Sequence, residues 1–206
     1  TRFSTVTGVQ TCALPILIMD MNIGFAKAGA LYSPRTEALI QPIAHFCEKM
    51  KRTGAKILAL TDTHAPSDHE FTVFPPHCLS TSGESEIVPE LAPLCDWVVP
   101  KYTTGGFFEL AEYQRTNPIF NWDDFEEIYI VGCCTDLCVN NFAIITQKFL
   151  ESEYHFNRIR RVPHLILPLR LIETYDAIGH DADEINQFYQ TQYLLNGFKT
   201  TNDEHA

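Results

Sequence analysis

The chain contains no run of about 18 apolar residues, so no stretch of it reads as a helix that crosses a bilayer. It is also poor in positive charge: 15 Lys and Arg stand against 26 Asp and Glu, a net charge of −11. That deficit argues against nucleic acid and anionic membrane surfaces as partners, because both select basic proteins. The beginning of the chain lacks the charged flank and apolar stretch of a secretory signal. No internal repeat or low-complexity tract is present. What remains is a globular composition, 45% hydrophobic and 20% charged, which excludes disorder and fibrous repeats. A length of 206 residues predicts one domain. Such a domain buries roughly 70% of its unfolded surface and needs no disulfide or metal staple.

The seven cysteines are Cys12, Cys47, Cys78, Cys95, Cys133, Cys134 and Cys138. An odd, irregularly spaced set in a chain of this size reads as free thiols in a reducing compartment, and the cytoplasm is the expectation. Val6 to Ile16 resembles the translation of an oligonucleotide adapter used in sequencing libraries. On that reading residues 1–16 are a foreign leader and 17–206 are the domain.

Strand and helix signals alternate along the rest. Leu17–Asp20, Lys56–Leu60, Trp97–Pro100, Glu127–Gly132 and a stretch near Arg160–Leu167 read as strands. Pro34–Arg52, Thr135–Leu150 and Asp183–Leu195 carry helical spacing, with Gly54 closing the first. This alternation predicts an α/β fold with one mostly parallel sheet and helices on both faces. Residues 61–95 form a long proline-containing stretch of weak periodicity, and such loops are usually functional.

In open parallel sheets ligands bind beyond the carboxyl ends of the strands. Asp20, Asp62, Lys101 and Cys138 all fall just past predicted strand ends. Cys138 sits where a helix begins, and there backbone N–H groups favour a thiolate and can hold an oxyanion. Asp20 is the candidate base, and Lys101 would lower the thiol pKa. Taken singly, each has a plainer use: Cys138 as core packing, Asp20 as a cap, Lys101 as a solvated charge. Three cysteines in six residues also suit metal or thiol redox chemistry, although no second pair stands at zinc spacing.

Asp62 and His64 stand at i and i+2, with His69, Glu70 and His77 following. Mixed carboxylate and imidazole donors suit a divalent ion such as zinc, iron or manganese. Hydrogen-bonded surface histidines are the plain alternative.

Four segments together resemble the isochorismatase-like cysteine hydrolase superfamily, most closely its nicotinamidase branch. They are Asp20-Met21-Asn22-Ile23-Gly24-Phe25, Asp62-Thr63-His64, Phe74-Pro75-Pro76-His77-Cys78, and the most specific, Gly132-Cys133-Cys134-Thr135-Asp136-Leu137-Cys138-Val139. The similarity runs from Leu17 to about Phe198. It implies an Asp20–Lys101–Cys138 triad acting on a small amide, with the Cys134 and Cys138 N–H groups as oxyanion hole. It also implies a cis peptide between Cys133 and Cys134. One divalent ion would be held by Asp62, His64, His77 and Glu70, with His69 the alternative to Glu70. Phe25 and Phe74 would flank a pyridine ring, and the reaction would convert nicotinamide to nicotinate and ammonia, a step of NAD salvage. Related hydrolases of other amides or carbamoyl compounds share these features. Members are often homo-oligomers, and Phe107 and Phe108 are candidate interface aromatics. Asn22, Gly24 and Gly105 depart from the usual pattern.

Overall fold

A computed structural model describes residues 15–202. Cys12 and residues 1–14 of the adapter-like segment lie outside that range, whereas Pro15 and Ile16 open the first strand. The strands are β1 (Pro15–Met19), β2 (Lys56–Asp62), β3 (Trp97–Lys101), β4 (Glu127–Cys133), β5 (His164–Pro168), β6 (Ile172–Glu173) and β7 (Lys199–Thr201). They form one sheet in the order β3-β2-β1-β4-β5-β7, every pairing parallel. The short β6 pairs with the end of β4, on the track that β5 leaves at Pro168. The chain winds outward from β1 in both directions, so a switch point opens beyond the carboxyl ends of β1, β2 and β4.

Side chains alternate strictly along the central strands. Leu17, Met19, Leu58, Leu60, Ile128 and Ile130 enter one apolar core, and Ile16, Ile18, Ile57, Ala59, Tyr129 and Val131 enter the other. The first core is closed by α4 (Phe107–Thr116), α5 (Asn140–His155) and α6 (Ala182–Leu195), through Leu110, Phe142, Leu150 and Tyr193. The second is closed by α3 (Ile40–Lys51), through Ile43, Phe46, Cys47 and Met50. Two short helices, α1 (Ile23–Ala26) and α2 (Pro34–Ala38), precede it.

Several local expectations need revision. The single helix read over Pro34–Arg52 is two, broken at Leu39. Pro42 has no N–H to give Ala38, so a continuous ladder is impossible there. The helix read over Thr135–Leu150 opens with a π turn, Thr135–Val139, before α5. Helix α4 and strands β6 and β7 had no clear periodic signal. Phe107, read as an interface aromatic, is buried against Phe142 and Phe149, while Phe108 is exposed.

Candidate active site

The ends of β1, β2, β3 and β4 each contribute one charged or reactive residue. Asp20 follows β1 with φ at 51°, a left-handed backbone that Asp tolerates better than most residues. Asp62 ends β2 and Lys101 ends β3, and the two are register partners. Cys138 lies in the π turn after β4, and the Cys133–Cys134 peptide bond is cis. All four side chains are buried; Cys138, at 7% exposed, is the most open.

The Lys101 ammonium is the hub. Its Nζ lies 2.9 Å from Asp20 Oδ2 and 3.6 Å from Cys138 Sγ, and it donates to Asp62 Oδ1 and to the Thr103 carbonyl. Asp20 Oδ1 accepts from the Asp62 N–H at 3.1 Å. Gly106, at φ 66°, leaves room for the lysine stem, because a Cβ there would stand 2.7 Å from Lys101 Cδ. Burial works against the lysine's charge, but Asp20 and Asp62 outweigh it and hold the ammonium protonated well above its usual range. Burial, then the charge of Asp62, raise the Asp20 carboxyl to about 7 against the pull of Lys101.

The expected lowering of the Cys138 thiol is not what this geometry produces. Burial and then the Asp20 carboxylate push it well above its ordinary range, and Lys101 only partly offsets them. The resting sulfur is therefore a thiol beside a carboxylate able to take its proton.

A second cluster adjoins the first through Asp62. Donor atoms of Asp62, His64, Glu70 and His77 all lie within 4.8 Å of one another. His77 Nε2 is 3.3 Å from Asp62 Oδ2 and 3.8 Å from Glu70 Oε1, and His64 Nε2 is 3.6 Å and 4.0 Å from the same oxygens. Ligands about 2.1 Å from a tetrahedral ion stand about 3.4 Å apart, so this spacing fits a metal such as zinc. The imidazoles are oriented for it. His64 Nδ1 pairs with Asp68 Oδ2 at 3.0 Å and His77 Nδ1 with the Pro75 carbonyl at 2.8 Å, which frees both Nε2 lone pairs. His64 Nε2 is buried without a hydrogen-bond partner. Burial, then Asp62, push the Glu70 carboxyl upward, a negative excess that a cation would relieve. His69 is exposed and outside the cluster.

Between the clusters lies a cavity of about 480 Å³. Asp20, Cys134 and Cys138 line its floor, Asp62, Glu70 and His77 one end, and Phe25 and Phe74 its sides. Sequence reasoning missed the outer wall, Leu31–Pro34 with Tyr175–Ala177, which no motif marks. Two departures from the family pattern are explained locally. The Asn22 amide donates to the Asp62 and Ser85 carbonyls, and a Cβ on Gly24 would stand 2.7 Å from Cys78 Sγ.

A doubly wound parallel sheet with its reactive residues at the switch point defines a three-layer α/β protein whose ligand site lies beyond the strand ends. The chain belongs to the isochorismatase family, whose domain model matches residues 15–145. It is 28% identical over 183 residues to Nicotinamidase 1 of Arabidopsis thaliana, a match covering 82% of this chain and 73% of that protein. The fold is shared with the pyrazinamidase of Pyrococcus horikoshii in complex with zinc, at TM-score 0.69 and 22% identity over 92% of this chain and 98% of that one. It is also shared with N-carbamoylsarcosine amidase of Thermoplasma acidophilum, at TM-score 0.66 and 18% identity over 94% and 98% of the two chains. The protein is accordingly an isochorismatase-family hydrolase.

Proposed function

We propose that this chain is a metal-dependent cysteine amidase that converts nicotinamide to nicotinate and ammonia. The observation that carries the reading is one cavity with the Asp20–Lys101–Cys138 cluster at its floor and the Asp62–His64–Glu70–His77 cluster at its end. Likeness to a named nicotinamidase supports the substrate. The charge of the lining supports it too. Among the described residues Asp20, Asp62, Glu70 and Asp176 line the cavity and no Lys or Arg does, so a neutral amide is favoured over a dicarboxylate.

A divalent ion (zinc, iron or manganese) held by Asp62, His64, Glu70 and His77 would supply a Lewis-acid contact for the pyridine nitrogen. Phe25 and Phe74 flank the ring. Asp20 takes the Cys138 proton, and the sulfur attacks the carboxamide carbon. The Cys134 and Cys138 N–H groups hold the oxyanion. Asp20 returns its proton to the amide nitrogen, the C–N bond breaks, and ammonia leaves a thioester. Asp20 then takes a proton from water, whose oxygen attacks the thioester; the C–S bond breaks and Cys138 is reprotonated. Lys101 stabilises the Asp20 carboxylate each time its charge returns.

A cavity of about 480 Å³ also has room for a larger acyl group, which favours other amides or carbamoyl compounds as the second reading. The six described cysteines are unpaired, as suits a cytoplasmic enzyme of NAD salvage. The test is ammonia release from nicotinamide, with chelator and metal add-back. Release that falls with chelator and returns with metal is expected. No release from nicotinamide, with release from another amide that Cys138→Ala abolishes, transfers the reading to that amide. No release from any of a panel of such amides overturns it.

A further inference from the structure

The wall formed by Tyr175, Asp176 and Ala177 is fastened to the nucleophile turn through Asp136, two before Cys138. Asp136 Oδ1 accepts from Thr174 Oγ1 at 2.6 Å, and its Oδ2 lies 2.8 Å from His180 Nε2. The other imidazole nitrogen, Nδ1, lies 2.8 Å from the Tyr175 carbonyl, and the ring stacks on Tyr175 at 4.2 Å and 2°. A carbonyl only accepts, so Nδ1 carries a proton. When the ring is protonated, Nε2 donates to the Asp136 carboxylate as well, both protons are engaged, and the bonds run from the turn to the wall and back. Thr174, Tyr175 and His180 all lie beyond residue 145, where the match to the family domain ends.

We infer that His180 is a positioning residue that clasps the cavity's outer wall to the turn carrying Cys138. The clasp sets how closely a substrate is held against the sulfur. The kinetic part of this inference rests on the amidase reading; the structural part does not.

Burial alone would lower the His180 pKa, but its hydrogen bond to Asp136, the Tyr175 carbonyl and the charge of Asp136 outweigh it and raise it above the ordinary 6.5. The other groups near the pair are Asp176, held by Arg35 of α2 at 2.7 Å, the stacked Tyr175, and Tyr189 and Tyr193 of α6. Because the folded value is the higher one, the clasp is complete below the ordinary histidine value. It is lost as pH rises through the raised one.

The test uses the full chain. In wild type, nitrogen-15 spectra at pH 6 are expected to show both ring protons on His180, and Asp136→Asn should return its titration to near the ordinary value. The Ala177 and His180 amides bond reciprocally to each other's carbonyls at 2.9 and 3.0 Å, so their hydrogen exchange reports the wall. In His180→Ala that exchange should rise about tenfold or more, as expected for loss of a charged hydrogen bond. KM for the amide should rise about tenfold while kcat moves less than about threefold. Thr174→Val, which removes only a hydroxyl, provides a milder variant should His180→Ala not fold, and it should loosen the same amides. A singly protonated His180 at pH 6, or unchanged exchange in these variants, overturns the clasp. If wild type turns over no amide, the amidase reading falls and the spectra and exchange still decide the clasp.

Discussion

The floor of the cavity and its outer wall are built on different principles. The floor, with Asp62 beside it, rests on four buried side chains, Asp20, Asp62, Lys101 and Cys138, each at or just after a strand end or in the turn beyond one and tied by a single ammonium. The wall is loop, with Ile178 fully exposed beside it, and it is held by ion pairs that reach across long stretches of chain. Arg35 of α2, for instance, bonds Glu173, Asp176 and Asp183. Rigidity therefore belongs to the chemistry and adjustability to recognition, as expected when a stiff sheet carries the reacting groups and loops carry the substrate's outer contacts.

Predictions that separate the two parts follow from this contrast. Cys138→Ala should lower turnover on the order of 10⁴-fold or more and leave metal content unchanged, measured by ammonia release and metal analysis. Substantial residual turnover would move the chemistry away from the floor. Lys101→Met leaves two buried carboxylates facing each other without a cation. It should cost about 3–5 kcal/mol of stability in urea unfolding; a near-neutral result would mean that the floor is not held by charge.

Smaller effects should appear at the supports. Asp68→Ala removes the partner of His64 Nδ1 and should weaken zinc binding about 10–100-fold in a chelator competition. Turnover at saturating metal should stay near wild type, and Asp68→Asn, which still accepts, should recover much of the affinity. The pH response is the gentlest test. Asp20 accepts the thiol proton only when ionised, and its carboxyl stands at about 7. The acid limb of kcat/KM should therefore fall about tenfold per pH unit below about pH 7 and be flat above it. A limb centred near 4 would mean that Asp20 is not desolvated in the working enzyme.

The floor was legible in the sequence because position along a strand is a local property. Leu17–Asp20, Asp62, Lys101 and Gly132–Val139 could be placed at strand exits without knowing what they touch. The preference for Glu70 over His69 rested on the family resemblance, and the four-donor cluster includes Glu70. The wall was illegible for the opposite reason. Tyr175 and His180 have no periodic or motif signal, and they acquire meaning only through Asp136, about 40 residues earlier. The π turn was likewise hidden, since helical spacing from Val139 onward masks how the first turn is wound. The thiol's upward shift depends on burial and on a neighbour from another strand, and neither is written next to Cys138.

The left-handed backbone at Asp20 governs how a mutational scan of this protein would read. Asparagine shares the aspartate's tolerance of that conformation, so an Asn allele there deletes only the charge. A valine or isoleucine allele adds backbone strain to the same deletion and lowers abundance along with activity. Two alleles that look alike in a growth screen would thus fail for different reasons, and only the first is a measurement of proton transfer.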